Sequence, residues 1–402
     1  MNRLWEGVMG TGLGVRIDLD ALMAFPVEEV QRILAVTGRG SRRKRKLPAH
    51  VMVYYVIALG LLASVGAREV LRRVLHREEQ KFAFTLATDA AISKARQRLG
   101  WTPLKALFED YVRPIATRTM SWAWFKGRRL VALDGSTMNV IDSRANVRAF
   151  GKPPSSKGKT VFAQIRWVAL AEVGTHVLFA ARMAGWRVSE YAMGLQLVSY
   201  LKPGMLCLAD RLFYGFEMWS KAAETGADLL WRVQKNVTLP RLRTLKDRSY
   251  LSEVRPPSTE RKKVRERSIQ VRVVEFDVAV RGRREHYRLI TTLLDPRQAS
   301  AMELAQLYAK RWKIETIFDE IKDHRRRGDS AVALRSKRPD LVRQDFYGLL
   351  LAHFGVRSLM VEAAQQADVE PGCISFTHAM AVVIQRLPEM VSFPPSIEVS
   401  LP

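Results

Sequence analysis

Cysteine is scarce in this sequence of 402 residues, which holds only Cys207 and Cys373. The two are far apart and form no Cys-x-x-Cys pair, so neither a disulfide framework nor a zinc site is indicated. The seven histidines also lack a metal-binding spacing such as His-x-x-x-His. This composition fits a reducing compartment, and we predict a cytoplasmic protein.

Long apolar runs are also missing. Residues Met1 to Trp5 lack the basic region and the following apolar run of a secretory signal. The most apolar run, Val51 to Ala67, contains two tyrosines and is about 17 residues long, whereas a bilayer span normally needs about 20. We therefore predict a buried core helix there, and no membrane partner.

Acidic residues are the third deficit. Asp and Glu number 40 against 65 Lys and Arg, which gives a formal net charge of +25. Such a charge favours a polyanionic partner, nucleic acid first, because bound phosphates release condensed counterions. One basic run that ends before Pro48 is predicted to be a phosphate-contacting arm, with a solvated loop as the alternative. Its cations are Arg42, Arg43, Lys44, Arg45 and Lys46.

The periodicity of apolar residues divides the chain into a helical part and a mixed part. Residues 1–121 read as helices without an alternating strand and are predicted to form a helical, nucleic-acid-binding domain. Residues 122–370 combine strands and helices, which predicts an α/β domain. Within that domain, residues 236–295 are predicted to be a β-rich insertion. Residues 371–402 are predicted to be a C-terminal tail.

Four polar residues fall within an arc of roughly 60° on a helix that turns about 100° per residue. They are Tyr308, Arg311, Glu315 and Lys322. The adjoining arc is apolar, so the helix is expected to bury one edge and to present the charged stripe at a cleft. This apolar arc consists of Leu307, Ile314, Ile317, Phe318 and Ile321. The stripe is typical of a metal ligand surrounded by phosphate contacts.

Glu315 has competing interpretations. An exposed helical Glu with Arg311 four residues before it is commonly a surface pair worth about 0.3–0.5 kcal/mol. Asp319 lies one turn further on nearly the same stripe, and either carboxylate fits the role of a metal ligand. Spacing alone does not distinguish the two.

Two aspartates follow short buried strands. Asp134 comes after Leu130–Leu133, and Gly135 beside it allows close backbone approach. Asp210 follows Leu206–Ala209 in the same way. A structural turn also favours Asp-Gly, but two such aspartates at strand ends are harder to explain as turns.

Three carboxylates gathered in one place are expected to need a cation. Pairs about 4 Å apart repel by roughly 4 kcal/mol at an effective dielectric constant near 20. Oxygen ligands select Mg²⁺, with Mn²⁺ as a substitute. Two such ions about 3.5–4 Å apart can activate a water or a 3′-hydroxyl and stabilise the leaving oxygen at phosphorus. The predicted reaction is cleavage and transfer of a phosphodiester.

The spacing Tyr308-x2-Arg311-x3-Glu315-x6-Lys322 resembles the Tyr-Arg-Glu-Lys signature of the DDE transposases of bacterial insertion sequences, specifically the insertion-sequence-four group. Further similar segments are Asp134-Gly135-Ser136, Asp142-x3-Asn146-x3-Phe150-Gly151, Asp210-Arg211-x-Phe213-Tyr214, Leu334-Arg335-Ser336 and Val342-Arg343-Gln344. The resemblance covers roughly residues 20–365. It departs at Leu212, where the group often has glycine.

The resemblance implies an α/β fold with an RNase H-like catalytic core and a β-rich insertion, preceded by an all-helical N-terminal domain and followed by C-terminal helices. It implies that Asp134, Asp210 and Glu315 form the catalytic, metal-binding triad, and it leaves Asp319 outside that triad. Contacts to DNA phosphates are assigned to Tyr308, Arg311, Lys322 and Arg211. Either Trp231 or Trp312 is assigned to stacking on an extruded base, with a buried core position as the alternative.

Cut-and-paste members of the group nick the element's end, form a DNA hairpin, reopen it and join the 3′ ends to target DNA. The leading hypothesis is therefore an insertion-sequence transposase with two Mg²⁺ ions per site. It would bind terminal inverted repeats and target DNA as a homodimer and would be associated with the nucleoid. An inactive copy that only binds DNA and a stand-alone nuclease that joins no ends are the alternatives.

Overall fold

The computed structural model describes residues 25–41, 43, 46–63, 65–81, 87–155, 158–159, 162–256, 268–280, 283–325 and 334–386. Its N-terminal part is helical, as predicted. The helices described there are α1 (Val27–Val36), α2 (Ala49–Leu61), α3 (Ala67–Lys81), α4 (Asp89–Leu99) and α5 (Thr102–Tyr111). Local sequence sets their ends: the Thr88 side chain caps the start of α4 by accepting from the Ala91 amide, and Gly100, at φ 70°, ends it.

The apolar run from Val51 forms the buried helix that was predicted. Ten of the 13 residues of α2 are buried, and the two tyrosines donate their hydroxyls to the carbonyls of Phe25 and Ala67. Among the described residues, none of the helices combines the length and the apolar character that a bilayer crossing requires.

The mixed part contains two groups of strands. They are β1 (Trp124–Phe125), β2 (Arg128–Val140), β3 (Pro154–Ser155), β4 (Gly158–Lys159), β5 (Ala163–Glu172), β6 (Val177–Gly185), β7 (Met205–Ala209), β8 (Asp228–Arg232), β9 (Arg243–Thr244), β10 (Tyr250–Val254), β11 (Ile269–Val280) and β12 (Arg283–Thr291). A separate small hairpin consists of β3 and β4, and the others form one large sheet.

The order of strands in the large sheet identifies its core. It begins β6-β5-β2-β7-β8, in which β6, β5 and β2 are antiparallel neighbours and β2, β7 and β8 are parallel. A meander followed by two parallel crossovers is the RNase H-like core that the resemblance implied. The β-rich insertion extends the same sheet from β8 in the order β12-β11-β10-β9.

Helices of the mixed part cover this sheet and continue to the C-terminal side. They are α6 (Arg144–Phe150), α7 (Glu190–Leu195), α8 (Phe216–Glu224), α9 (Ala301–Ala309), α10 (Lys313–Arg325), α11 (Pro339–Gln366) and α12 (Phe376–Arg386). The single helix predicted to carry the charged stripe is interrupted by a 3₁₀ turn at Lys310–Trp312. Residues 371–386 are more than the predicted tail, since α12 packs on α10 and α11. Residues 387–402 lie outside the described residues.

Different helices meet the two faces of the sheet beside Asp134. Trp167 of β5 is paired with Ser136 of β2 and packs against Phe318 of α10, with ring centroids 4.5 Å apart. Because successive side chains of a strand point to opposite faces, Asp134 and Ser136 face α10, and Gly135 faces the other side. There Gly135 meets Glu190, the first residue of α7.

The N-terminal helices share one hydrophobic core with the mixed part. Helix α2 crosses α11 at two glycines: a Cβ on Gly60 would lie 2.9 Å from the Gly348 carbonyl oxygen, and one on Gly348 would lie 2.6 Å from a Val56 methyl group. Buried polar contacts add to this packing. Arg96 of α4 donates to Asp345 of α11 at 2.5 Å, so the two parts are joined by backbone-level packing and by an ion pair.

Candidate active site

Asp134 and Asp210 lie side by side where the pairing of β2 with β7 ends. The register pairs Leu133 with Ala209, and each aspartate is the next residue along its chain. The prediction that Asp134 ends its own strand was wrong, because β2 continues to Val140 in register with β5. The cleft forms because β7 stops there while β2 continues.

The Asp134 carboxylate is largely buried and has two donors. One oxygen accepts from the Gly135 amide at 2.8 Å, and the other from Arg311 Nη1 at 2.5 Å. Burial raises the pKa of Asp134 to about 6, with Arg311 opposing that rise and the charges of Asp210 and Glu315 adding to it. The Oδ1 atom of Asp210 is buried without a hydrogen-bond partner in the described structure.

Glu315 reaches this cleft from α10. Its carboxylate accepts from Arg311 Nη2 at 3.4 Å, while 46% of the side chain remains exposed. Asp319, the competing carboxylate, is more exposed and lies 3.8 Å from Lys322. The apolar residues of the neighbouring arc are buried as predicted, so they hold α10 against the sheet. Geometry therefore places Glu315 in the carboxylate cluster and Asp319 at the surface.

Arg311 lies among the three carboxylates. Its side chain is almost completely buried, and it bridges Asp134 and Glu315. Burial alone would lower the pKa of Arg311, but neighbouring Tyr308, Asp134 and the other two acids raise it on balance. The guanidinium thus neutralises part of a negative cluster that has an unpaired oxygen on Asp210.

Comparison with known families assigns both parts of this architecture. Residues 17–109 match the model described as insertion element 4 transposase N-terminal, and residues 125–354 match the transposase DDE domain. The second match alone covers more than half of the chain and contains all three carboxylates of the cleft. The chain is a DDE transposase of the insertion element 4 family.

Individual relatives agree with this assignment. Transposase InsG for insertion sequence element IS4 of Escherichia coli K12 is 27% identical over 365 residues, which cover 90% of this chain and 80% of InsG. Putative transposase InsZ of the same organism is 26% identical over 209 residues, which cover 52% of this chain and 68% of InsZ. A solved piggyBac transposase synaptic complex with hairpin DNA aligns with a TM-score of 0.46 and 8% identity, over 96% of this chain and 83% of that chain.

Tyr308 of the transposase was predicted to face the cleft, but it does not. The side chain is buried, and its hydroxyl donates to the carbonyl of Ala209 at 3.2 Å. Burial raises the pKa of Tyr308, so the phenol stays neutral and remains a donor. The predicted phosphate contact is therefore wrong for this conformation. Tyr308 instead ties α9 to the end of β7, directly before Asp210.

The two tryptophans assigned to base stacking, Trp231 and Trp312, differ in exposure. Trp231 is fully buried in β8, and its ring packs edge-on against Trp219 at 5.2 Å. Its assignment to base stacking was wrong, because the ring has no free face. Trp312 is 49% exposed on the 3₁₀ turn, and Arg311 lies 4.7 Å from its ring centroid. Trp312 is thus an accessible aromatic side chain beside the carboxylates.

The remaining predicted DNA contacts lie at the surface or outside the described residues. Arg211 is exposed beside Asp210, and Lys322 lies on α10 seven residues after Glu315. Arg43 and Lys46 of the basic arm are also exposed. The other three cations of that arm, Arg42, Lys44 and Arg45, lie outside the described residues.

The DDE domain implies dependence on a divalent cation, and the donor set fits one. Three carboxylates supply the oxygen ligands that hard cations prefer, and one oxygen of Asp210 is buried without a partner. Among the described residues, no three His, Cys, Asp or Glu side chains are already arranged to hold a metal ion. In the cleft, Arg311 lies between Asp134 and Glu315.

Sequence reasoning did not single out Glu190. A Cβ on Gly135 would lie 2.6 Å from Glu190 Cδ and 2.7 Å from its Oε2, so the carboxylate lies directly against the backbone of the residue after Asp134. The glycine was the available signal, since it predicted a close approach. What approaches is a carboxylate from a helix more than 50 residues away in sequence, which spacing does not reveal.

Proposed function

We propose that this transposase cleaves DNA at the terminal inverted repeats of its element and joins the 3′ ends to target DNA by a cut-and-paste route, with a hairpin on the transposon end. The meeting of Asp134, Asp210 and Glu315 at the end of β7 carries this proposal. Carboxylates drawn from two strands and a helix surround Arg311 beside the exposed cation Arg211, an arrangement that suits phosphoryl transfer.

The three carboxylates would hold two Mg²⁺ ions, for which Mn²⁺ can substitute. Such ions, when bound, lower the pKa of the attacking water or 3′-hydroxyl and stabilise charge on the phosphate. Arg211 and Lys322 contact phosphates beside the cut, and Arg311 joins them when it leaves Asp134. Trp312 stacks on an extruded base, because its ring is accessible beside the site. Tyr308 positions Asp210 through Ala209.

DNA reaches the site through the basic surfaces of the chain. The N-terminal helices and the arm that includes Arg43 and Lys46 bind the inverted repeats, supported by the net charge of +25. Joining two element ends requires two active sites, so we propose a homodimer in the synaptic complex. Association with the nucleoid in the cytoplasm belongs to the same proposal.

The test uses purified full-length protein with labelled DNA from the ends of its own element. Asp134→Asn, Asp210→Asn and Glu315→Gln should each abolish strand cleavage in Mg²⁺ or Mn²⁺ while DNA retardation persists. Asp319→Asn is the matched control, since this exposed carboxylate lies on the same helix. Cleavage that survives in Glu315→Gln but is lost in Asp319→Asn would refute the triad.

The products separate the proposed route from its alternatives. Denaturing gels should reveal a hairpin on the transposon end and, with target DNA present, joined products. Released ends that never join would indicate a nuclease. A wild-type protein that retards the DNA but never cuts it would indicate a copy that acts by binding alone.

A further inference from the structure

The register that places Asp134 beside Asp210 continues one strand further, to Arg232. Strand β7 pairs with β8 through Ala209 and Trp231, and Asp210 and Arg232 are the next residues along the two strands. Neighbouring strands lie about 4.8 Å apart, and residues in register present their side chains to the same face. Asp134, Asp210 and Arg232 therefore form a row across three strands, with the cation at its end.

Tyr287 supports the guanidinium of Arg232 in this row. It lies on β12, where Leu289 is paired with Arg232, so the side chains of Tyr287 and Arg232 share a face of the sheet. The guanidinium carbon lies 3.6 Å from the centroid of the Tyr287 ring, which is a cation–π contact. The same ring packs edge-on against Tyr308, and Tyr308 donates to the Ala209 carbonyl. Contacts thus connect Arg232 to the end of β7.

The charge of Arg232 acts on the same hydroxyl group as the charges of the acidic cleft. Burial raises the pKa of the Tyr308 phenol, Arg311 and Arg232 lower it, and Asp210 raises it. Arg311 already bridges two carboxylates of the proposed triad. In the part of the chain that the structure describes, the Arg232 side chain donates to none of the three.

The Arg232 side chain is well enclosed but uses few of its donors. Only 13% of it is exposed, and among the described residues its one hydrogen bond goes to Glu285 Oε2, 3.4 Å from Nη2. A guanidinium has five N–H donors. The Glu285 side chain is 47% exposed, so the acceptor lies at the surface. An incoming anion can therefore replace Glu285 without displacing the guanidinium from its ring.

An arginine with a structural role in the same sheet differs from Arg232. Arg272 of β11 is fully buried, pairs with Asp247 and donates to the Ser249 hydroxyl and to the Ala299 carbonyl. Its donors are satisfied within the fold, as is usual for a buried polar group. Arg232 instead keeps donors for a ligand.

We infer that Arg232 is a phosphate-binding residue of the active site, and that Glu285 occupies it until DNA binds. The inference rests on the proposed function, since the ligand is a backbone phosphate of the element end near the cut. A guanidinium donates to two oxygens of one phosphate in a planar, bidentate contact. Arg311 contacts Asp134 on one side of Asp210, and Arg232 lies on the other side. The two arginines therefore flank the central carboxylate of the row.

The test measures whether Arg232 and one DNA phosphate depend on each other. Single phosphates around the cut are replaced, one at a time, by uncharged methylphosphonates. Binding of each duplex to full-length wild-type and Arg232→Gln protein is measured in EDTA. In the wild type, the replacement at the contacted phosphate should weaken binding about tenfold, as expected for a charge-assisted hydrogen bond. In Arg232→Gln, the replacement at that position alone should lose its effect.

Arg288→Gln is the matched control for the loss of an enclosed arginine. The Arg288 side chain is also 13% exposed, but it lies on the other face of β12 from Tyr287. It donates to the carbonyls of Lys235 and Val237. This variant should keep the wild-type response to every methylphosphonate. If Arg232→Gln also kept that response at every position, the inference would be overturned.

Glu285→Gln tests the exchange of a carboxylate for phosphate. It should bind unmodified DNA more tightly than the wild type, because it removes the competing negative charge, and the gain should vanish when Arg232→Gln is added. A gain that persists in the double variant would overturn the exchange. If Arg232→Gln fails to fold, Arg232→Lys carries the same test, since it keeps the charge without the bidentate geometry. Its response at the contacted phosphate should be smaller, and a full response would refute the contact.

The outcome also separates this inference from the proposed function. Wild-type protein that does not bind DNA from the ends of its element would reject the proposed function. Wild-type protein that binds and cuts this DNA, with every methylphosphonate response retained in Arg232→Gln, would reject only the role of Arg232.

Discussion

Arg311 holds together carboxylates that would otherwise repel one another. It donates to Asp134 at 2.5 Å and to Glu315 at 3.4 Å from an almost completely buried position. A cation in this place competes with a metal ion for the same oxygens. Under the proposed function, DNA phosphates near the cut would offer the guanidinium an alternative anion, so binding of DNA and of metal would favour each other.

Replacement of Arg311 by Gln should therefore have opposite effects on metal binding and on catalysis. Without the competing charge, Mn²⁺ affinity of the DNA-free protein should rise about tenfold or more, since unit charges a few ångströms apart interact by a few kcal/mol at an effective dielectric constant near 20. Cleavage should fall. Calorimetry and a cleavage assay measure the two effects.

Lys310→Gln provides the comparison, because it removes the same charge one residue away on the same 3₁₀ turn. It should alter Mn²⁺ affinity much less. Weaker Mn²⁺ binding in Arg311→Gln would show that the guanidinium organises the site for the metal instead of competing with it.

For single residues, the sequence predicted chemical roles better than it predicted the exposure of the side chains. The strand pattern singled out Asp134 and Asp210, and the family resemblance selected Glu315 over Asp319; the fold brings all three to one cleft. Tyr308 was assigned to phosphate because its helical angle matches that of Glu315, but the 3₁₀ turn between them changes the angle and buries the phenol. Trp231 has no such local signal, since packing against other elements, including Trp219 of α8, encloses its ring.

A buried charged cluster anchors helix α10 on a different face from the one that carries Glu315. Glu320 accepts from Arg357 and lies 3.4 Å from His176 Nδ1 and 3.3 Å from His353 Nε2. Burial opposes ionisation of Glu320, but Arg357 and the two histidines keep its pKa far below the usual range. The same helix carries Glu315, so this cluster helps to set the position of a member of the proposed triad.

Acid should destabilise this cluster before the rest of the fold. Burial lowers the pKa of His176 and of His353 below 6.5. Glu320 opposes this change, Arg357 lowers the pKa of both rings further, and Lys313 lowers that of His176. A depressed pKa means that the unfolded chain binds more protons, so stability falls as pH drops below 6.5. Glu320 adds a second loss below pH 4.5 for the same reason. His353→Gln should reduce the first loss.

Urea denaturation between pH 7 and pH 5 measures this effect as the slope of the unfolding free energy against pH. His378→Gln is the control, because His378 is a partly exposed histidine on α12 outside the Glu320 cluster. Equal slopes in the wild type and in His353→Gln would contradict the assignment. Both variants keep the ion pair of Glu370 with Lys313 beside the cluster, so this pair does not cause a difference between their slopes.

Elements with a strong repeating pattern were predicted closely. The predicted β-rich insertion at residues 236–295 contains β9 to β12, and the apolar run from Val51 lies in the buried helix α2. Helix α12 was missed within the predicted tail, because its buried face depends on packing against α10 and α11. The break at Lys310–Trp312 was missed because its residues are compatible with a continuous helix.

Over the whole molecule, the helical part and the RNase H-like part form one packed body. One hydrophobic core runs through both, and Gly60 and Gly348 let α2 and α11 touch at the backbone. The division at residue 121 follows the change of periodicity in the sequence, while the contact across it depends on residues nearly 300 positions apart. No local sequence pattern predicts such a contact.

Gly348→Ala should loosen this junction. The new methyl group would lie 2.6 Å from a Val56 methyl and 2.9 Å from the Val56 carbonyl oxygen, and overpacking of this kind typically costs about 1–3 kcal/mol. Urea denaturation measures the loss. Gly66→Ala is the control, because a Cβ there meets nothing within 4 Å. An unchanged unfolding free energy in Gly348→Ala would mean that the helices separate without cost.

The glycine crossing also bears on how such enzymes can be recombined. Under the proposed function, exchanging the first hundred residues with those of a relative is a direct route to a new repeat specificity. Here the incoming helices must match the surface of α11, where even one extra carbon atom on either partner meets backbone. Hybrids are therefore expected to fold only when α2 and α11 come from the same parent. The two segments, although distant in sequence, must be exchanged together.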